Sequence, residues 1–212
     1  MSTAQKKVIT ISRQLASGGA YIGHLIAQKT GYRYVEREVL HRAARELGVD
    51  IRDVAGQDEK KSGFVESLMK SFVFGTPEAV YIPPARRPVY DEELYEAECR
   101  IIRKIAERSD IVLVGHAGFS VLAGQPHAFH LYIHAPKEFR VSRLSAFHSL
   151  NREAALAEID ESDQRREKYL RSRTGKEWHD ARNYHLCLDA SILRFEAAAD
   201  MIVNLVHEAK QR

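Results

Sequence analysis

The sequence predicts an α/β protein with a central, mostly parallel five-stranded sheet. Five β-rich apolar runs recur, at residues 8–12, 32–36, 110–116, 130–135 and 185–190. Helical patterns separate most of them, the alternation expected of strands joined by crossover helices. The first run also feeds a small-residue turn, Ser17-Gly18-Gly19, and then a helical pattern.

The elements follow in order. Residues 19–30 and 38–47 carry helical spacing, and a third helix is expected over 62–74. Residues 75–88 hold four of the six prolines and read as an extended loop or flap. Over 91–109, Leu94, Ile101, Ile102 and Ile105 fall on one helical face. The run Ile111-Val112-Leu113-Val114-Gly115 is continuously apolar, as expected of a central strand covered on both sides, and His116 stands at its end. Helices are expected at 137–149, 151–172 and 193–210. Two stretches read as insertions between sheet elements: 50–90 on the substrate side, and the charged segment 151–184, which reads as lid-like. Both would sit beyond the carboxyl ends of the strands, where ligands of such sheets bind.

Composition narrows the class. The 212 residues, 44% of them hydrophobic, suffice for one domain with a real core. Lys and Arg number 32 against 29 acidic residues, so the global balance demands no nucleic acid. Cys99 and Cys187 lie far apart without metal-like spacing, which suits a reducing compartment. The amino terminus has no apolar signal core, and no run reaches the roughly 20 apolar residues of a membrane span. A cytoplasmic protein without membrane partners is expected. The ten histidines form no pattern of metal-ligand spacing, so no resident metal site is expected.

The turn after the first strand carries the chemistry. Backbone N–H groups and the helix dipole converge on an anion at such a junction, and Gly18 and Gly19 let backbone approach it. The usual signature G-x-x-x-x-G-K-[ST] is not met. With Ser17 and Gly18 at its central positions, Leu15 and Ala20 stand for its glycines, Tyr21 for its lysine and Ile22 for its hydroxyl residue. Arg13 follows the strand directly and can supply charge that Tyr21 cannot. A second source lies at 160–176, where Asp160, Glu161 and Asp163 precede Arg165, Arg166, Lys168, Arg171, Arg173 and Lys176. That order suits the helix dipole and i,i+4 pairing on a solvated helix. Its cationic end also suits arginines that close over a phosphoryl group, Arg166 first, with Arg171 and Arg173 next. Arg140 and Arg143 read as lid-anchoring, nucleotide-stacking or solvent-facing. Trp178 and Tyr184 read as packing the lid onto the sheet rather than stacking single-stranded nucleic acid.

Four blocks in order, ITISR…SGGAYIG, VLVGHAG, IHAPKEFRVSRL and TGKEW…NYHLCLDAS, resemble the cytidylate kinase-like family. The resemblance covers most of the chain and is weakest at 50–90. It implies a single three-layer P-loop kinase-like domain over 1–212, with lid and nucleotide-binding insertions. It implies transfer of a phosphoryl group from ATP, with Mg2+, to a nucleoside monophosphate such as CMP or a related small molecule. Carried over by position, Ser17, Gly18 and Gly19, with Ala20, Tyr21 and Ile22, match the nucleotide-phosphate loop. Arg42 matches the arginine that holds the acceptor phosphate. Glu36 stands where an Asp is usual, and His116 stands where relatives often read Gly-Arg-Gly. Arg166 and Arg171 match lid arginines. The departures at Tyr21, Ile22 and His116 keep open a nucleotide-binding or regulatory protein without appreciable turnover. The helix at 91–109 is long enough to offer a homodimer face.

Overall fold

The computed structural model describes residues 6–48 and 91–209. The expected helix over 62–74 and the proline-rich segment lie outside the described residues. The chain divides into two units, residues 1–35 with 103–212, and residues 36–102. The second unit is thus wider than the insertion expected at 50–90.

In the first unit, β1 (Val8–Arg13), β2 (Arg33–Val35), β3 (Ile111–Val114), β4 (Ala128–His134) and β5 (Leu186–Asp189) form one parallel sheet in the order β2-β3-β1-β4-β5. The middle strand is therefore β1, and β3 is its fully buried neighbour rather than the centre. The chain fills one side of β1 with β2 and β3, then the other with β4 and β5. That reversal puts the topological switch point at the carboxyl end of β1, where open α/β sheets bind ligands.

Alternation along the strands sorts the side chains. Ile9, Ile11, Val112, Val114, Leu131 and Ile133 join the core that α1 (Gly19–Thr30) and the last helix, Phe195–Glu208, cover with Ile22, Ile26, Ala198, Ala199 and Ile202. Thr10, Ser12, His130 and Tyr132 alternate with them, so they belong to the other face. Truncating a fully buried Ile such as Ile22 would cost about 2–5 kcal/mol.

Helix Arg152–Thr174 opens the lid-like segment expected at 151–184, and helix Lys137–His148 precedes it. In chain order the helices are α2 (Arg37–Leu47), α3 (Asp91–Arg108), α4 (Gly118–Val121), α5 (Lys137–His148), α6 (Arg152–Thr174) and α7 (Phe195–Glu208). Asn151 caps α6, its Oδ1 accepting the Ala154 N–H at 2.8 Å. Three ion pairs zip α6 to α5: Arg152–Glu138 (2.7 Å), Lys137–Asp160 (2.6 Å) and Arg140–Asp163 (2.8 Å). Between them Val141 and Leu144 pack on Ala155 and Ile159.

In the second unit, α2 buries Val39, Leu40, Ala43 and Ala44, and α3 up to Ile102 buries Leu94, Ala97, Ile101 and Ile102. Arg100 of α3 donates to Glu46 of α2 from Nε (3.1 Å) and Nη2 (2.9 Å).

Candidate active site at the carboxyl end of β1

The loop between β1 and α1 is tied down by its own side chains. The Gln14 N–H donates to the Ile133 carbonyl (3.1 Å), and Gln14 Oε1 accepts the Ala135 N–H (3.2 Å), so one residue bridges β1 to the exit of β4. The buried Ser17 hydroxyl turns inward, to the carbonyls of Gln14 (2.9 Å) and Ile133 (3.2 Å). Its role is thus to brace the loop, as does its N–H, which donates to the Gln14 carbonyl (3.4 Å). Leu15 and Ala16 pack on the α5–α6 core, and Arg143 Nε donates to the Ala16 carbonyl (3.1 Å).

Two residues of the loop hold left-handed backbone, Ala16 (φ 59°) and Gly18 (φ 91°). Glycine suits the second; at Ala16 the same region costs an L residue about 1–2 kcal/mol. The first helical bond joins the Ile22 N–H to the Gly18 carbonyl (2.9 Å). The N–H groups of Gly19, Ala20 and Tyr21 then have no acceptor within the helix and point out of its positive end.

Arginines frame this end. The Arg13 side chain runs to the exit of β3: a Cβ on Gly115 would lie 2.5 Å from Arg13 Nη1. Arg166, in the middle of α6, donates from Nη1 to the Arg13 carbonyl (3.4 Å). Asp163, one turn earlier, holds α6 in that position through Arg140, which is itself buried and donates to the Ala135 carbonyl (3.1 Å). Beyond β3, Gly115, His116 and Ala117 take three successive positive φ values, 86°, 54° and 50°. This left-handed turn buries His116 and closes with the Gly118 N–H on the Gly115 carbonyl (3.0 Å). Strain of this kind in two non-glycine residues collects at functional sites.

The structure therefore brings Arg13, the Ser17–Gly19 backbone and Arg166 together at one strand end, with Gly115 and His116 at the neighbouring exit. The other expected residues lie apart from this group or offer it no polar side chain. Arg171 is not among the residues brought to the loop: it lies on the exposed last turns of α6, paired with Glu167 (3.0 Å) and Glu177 (2.5 Å). Ile22 is fully buried in the core, so its side chain reaches no ligand. The half-exposed Tyr21 ring stands edge-on to Phe195 at 5.9 Å. Ala20 offers only a methyl group. Glu36 and Arg42 belong to the second unit, where Glu36 precedes α2 and Arg42 pairs with Glu38 one turn away.

Sequence reasoning passed over Gln14 and Phe195, and read Asp163 only as one carboxylate of a charged helix. Asp163 stands three residues before Arg166 on the same helical face, a spacing that signals joint action. The Phe195 ring fills the space that a Gly18 side chain would need (2.6 Å), and Arg143 lies over that ring at 4.6 Å. Under the sheet, Trp178 and Tyr184 are buried against Tyr132, as expected of lid packing. The Tyr132 hydroxyl meets His179 Nδ1 at 2.7 Å, and Tyr184 donates to the Trp178 carbonyl at 2.9 Å. Burial pushes both phenols far up, with the Asp163 charge adding at Tyr132, so both stay protonated.

These residues fit a phosphate group: orphan N–H donors, a helix dipole and two guanidinium groups. They do not fit a dedicated Mg2+ site, because the first turn of α1 places no oxygen ligand at Ala20 or Ile22. Among the described residues no three His, Cys, Asp or Glu side chains converge on one point. Nor is any helix among them long and apolar enough to cross a membrane.

Comparison with known proteins agrees with this architecture. A crystal structure of an uncharacterized protein from Eubacterium ventriosum superposes with a TM-score of 0.69 at 18% identity, covering 96% of this chain and 100% of that one. The shikimate kinase of Acinetobacter baumannii, solved with shikimate, gives 0.54 at 13% identity (98% and 97% covered). The shikimate kinase of Bacteroides thetaiotaomicron gives 0.55 at 10% (95% and 98% covered). At such identities these likenesses show the fold, an α/β P-loop kinase-like fold. No curated protein matches in sequence. The cytidylate kinase-like family matches residues 8–192, which takes in every strand and the loop, Arg13 and Arg166 described above; the chain belongs to the cytidylate kinase-like family.

Proposed function

We propose that the chain is an ATP-dependent phosphotransferase whose acceptor is a nucleoside monophosphate, CMP-like, or a related small molecule. The observation that carries this is the hydrogen bond from Arg166 to the Arg13 carbonyl, which sets a guanidinium from α6 at the mouth of an anion-binding loop. Phosphoryl transfer asks a protein mainly for positioning and for positive charge on the equatorial oxygens. On this reading the acceptor oxygen attacks the γ-phosphorus, the bridging P–O bond breaks and ADP leaves. The loop N–H groups hold the donor phosphates, and Arg13 and Arg166 supply the charge that a loop lysine gives elsewhere. Arg143, laid over Phe195 beside Gly18, is assigned to base stacking. His116, at the neighbouring strand exit, is assigned to the substrate side. Arg42 and Glu36 are assigned to the acceptor on the family resemblance, Arg42 exchanging its Glu38 partner for the acceptor phosphate.

A coupled assay with ATP and Mg2+ against the common monophosphates, shikimate and gluconate tests the reading. Turnover with one of them is the expected result. No ATP binding by titration calorimetry at millimolar nucleotide would sink it at the first step. A second reading, a nucleotide-binding protein without turnover, is favoured by one feature: the half-exposed Tyr21 ring, edge-on to Phe195, stands where the loop lysine would be, so the first turn of α1 brings no ammonium group to the loop. It predicts ATP binding with no phosphotransfer to any acceptor.

A further inference from the structure

The phosphate loop lies at the carboxyl ends of the strands, whereas a cavity of about 660 Å³ opens at their amino ends. Its wall gathers Lys7 from before β1, Lys176 from the turn after α6, and the imidazoles of His127, His130, His185 and His207. Four of the ten histidines thus meet at one end of the sheet, although nothing in their spacing links them. Among the described residues, no aspartate or glutamate lines the cavity. Arg182 does, but Asp180 holds its guanidinium at 2.9 and 2.8 Å and answers its charge.

Geometry fixes what the imidazoles offer. His130 and His185 stack at 5.0 Å, their planes 14° apart. The His130 backbone N–H donates to His185 Nδ1 (2.9 Å), so neutral His185 carries its proton on Nε2. Thr10 Oγ1 lies 2.8 Å from His130 Nδ1. Burial first, then His185 and Lys176, hold the His130 pKa down to about 4, so it is neutral at pH 7. His127 Nδ1 is buried without a hydrogen-bond partner. Flat rings stand among these donors: Phe129, and the tilted pair Phe119 and Tyr184, 4.9 Å apart. Lys176 Nζ sits 5.4 Å above the Phe119 ring, where it joins an aromatic face to a positive charge.

Two ammonium groups, N–H donors and ring faces, with no carboxylate, select a ligand that is both anionic and planar. We propose that this cavity binds an aromatic anion, a phosphate or carboxylate carried on a planar ring, at a site separate from the phosphate loop. It does not depend on the activity proposed above.

Histidine-detected NMR titration of the full chain tests this with phenyl phosphate, benzoate, inorganic phosphate and benzylamine as probes. Phenyl phosphate or benzoate is expected to shift the His127 and His185 ring resonances saturably in the millimolar range or below, and the tighter of the two names the anion. Inorganic phosphate, lacking the ring, and cationic benzylamine are each expected to bind at least about tenfold more weakly. Lys176→Gln and Lys7→Gln should each weaken binding by about tenfold. The Lys7 change leaves the backbone bond from its N–H to Asp110 (2.8 Å) in place. Arg13→Ala, which acts at the other end of the strands, should leave the affinity unchanged. The proposal is overturned by the absence of saturable shifts with either aromatic anion, by equal binding of benzylamine, or by affinity that neither lysine substitution alters.

Discussion

A Cβ placed on Gly19 would lie 2.6 Å from the Cβ of Arg13. The last residue of β1 and the first of α1 thus meet without room for a side chain on the helix side. On the proposed reading one of the two cations of the site, Arg13, comes from the strand, and the glycine packed against it carries no side chain of its own.

The first prediction concerns that contact. Alanine at Gly19 gains about 1 kcal/mol of helix propensity. Overpacking against Arg13 and Ile133 costs about 1–3 kcal/mol, so Gly19→Ala is expected to lower stability. Urea denaturation reads the sign, and a stabilised variant would show that the two backbones are farther apart.

Arg166 and Arg171 differ by one and a half turns of α6 and are expected to differ sharply in effect. Arg166→Ala should cut turnover by about a thousandfold while ATP affinity changes far less. Arg171→Ala should stay within a fewfold of the parent, because its exposed pairs with Glu167 and Glu177 contribute little. Steady-state kinetics on the two variants side by side checks the ranking. Equal losses would return Arg171 to the site.

Removing Asp163 leaves the buried Arg140 guanidinium without its carboxylate. Asp163→Ala is expected to destabilise the fold by about 3 kcal/mol. A paired Arg140→Met, Asp163→Leu replacement should recover most of that stability, yet not the turnover that depends on Arg166 one turn away. A double-mutant cycle measures the coupling, and strict additivity of the two single changes would argue against the pair.

Stability should also fall with acid. His130 takes up its proton at about pH 4 in the folded chain and near 6.5 when unfolded. Between these values the unfolded chain binds more protons. The contribution is therefore complete above about pH 6.5 and is lost as the pH falls towards 4, up to roughly 3 kcal/mol in all. His130→Gln should flatten this part of the curve, read from denaturation midpoints across that range. An unchanged slope would place the acid sensitivity elsewhere.

Much of the fold could be read from the residues. All five strands and the helices at 19–30 and 137–149 fall within about two residues of expectation, because alternating and helical apolar patterns are local. The middle place of β1 was not legible, since strand order depends on crossovers that no local pattern records. The loop was legible through Gly18 and Gly19. The three successive left-handed residues after β3 were not, because His116 and Ala117 do not favour that backbone and tertiary packing imposes it. Charge alone marks Arg166 as a candidate, but separating it from Arg171 needs the partners each meets from α6.

The zipper between α5 and α6 bears on the speed of the site. The buried Arg140–Asp163 pair and an apolar seam hold the half of α6 that precedes Arg166, while the exposed pairs add little, so this helix reads as a gatepost and not a door. On the proposed function, the cost of orienting its guanidinium is met when the chain folds, before nucleotide arrives. Capture of a phosphate would then need no swing of α6, and its rate would follow diffusion and ionic strength rather than the tempo of a closing helix.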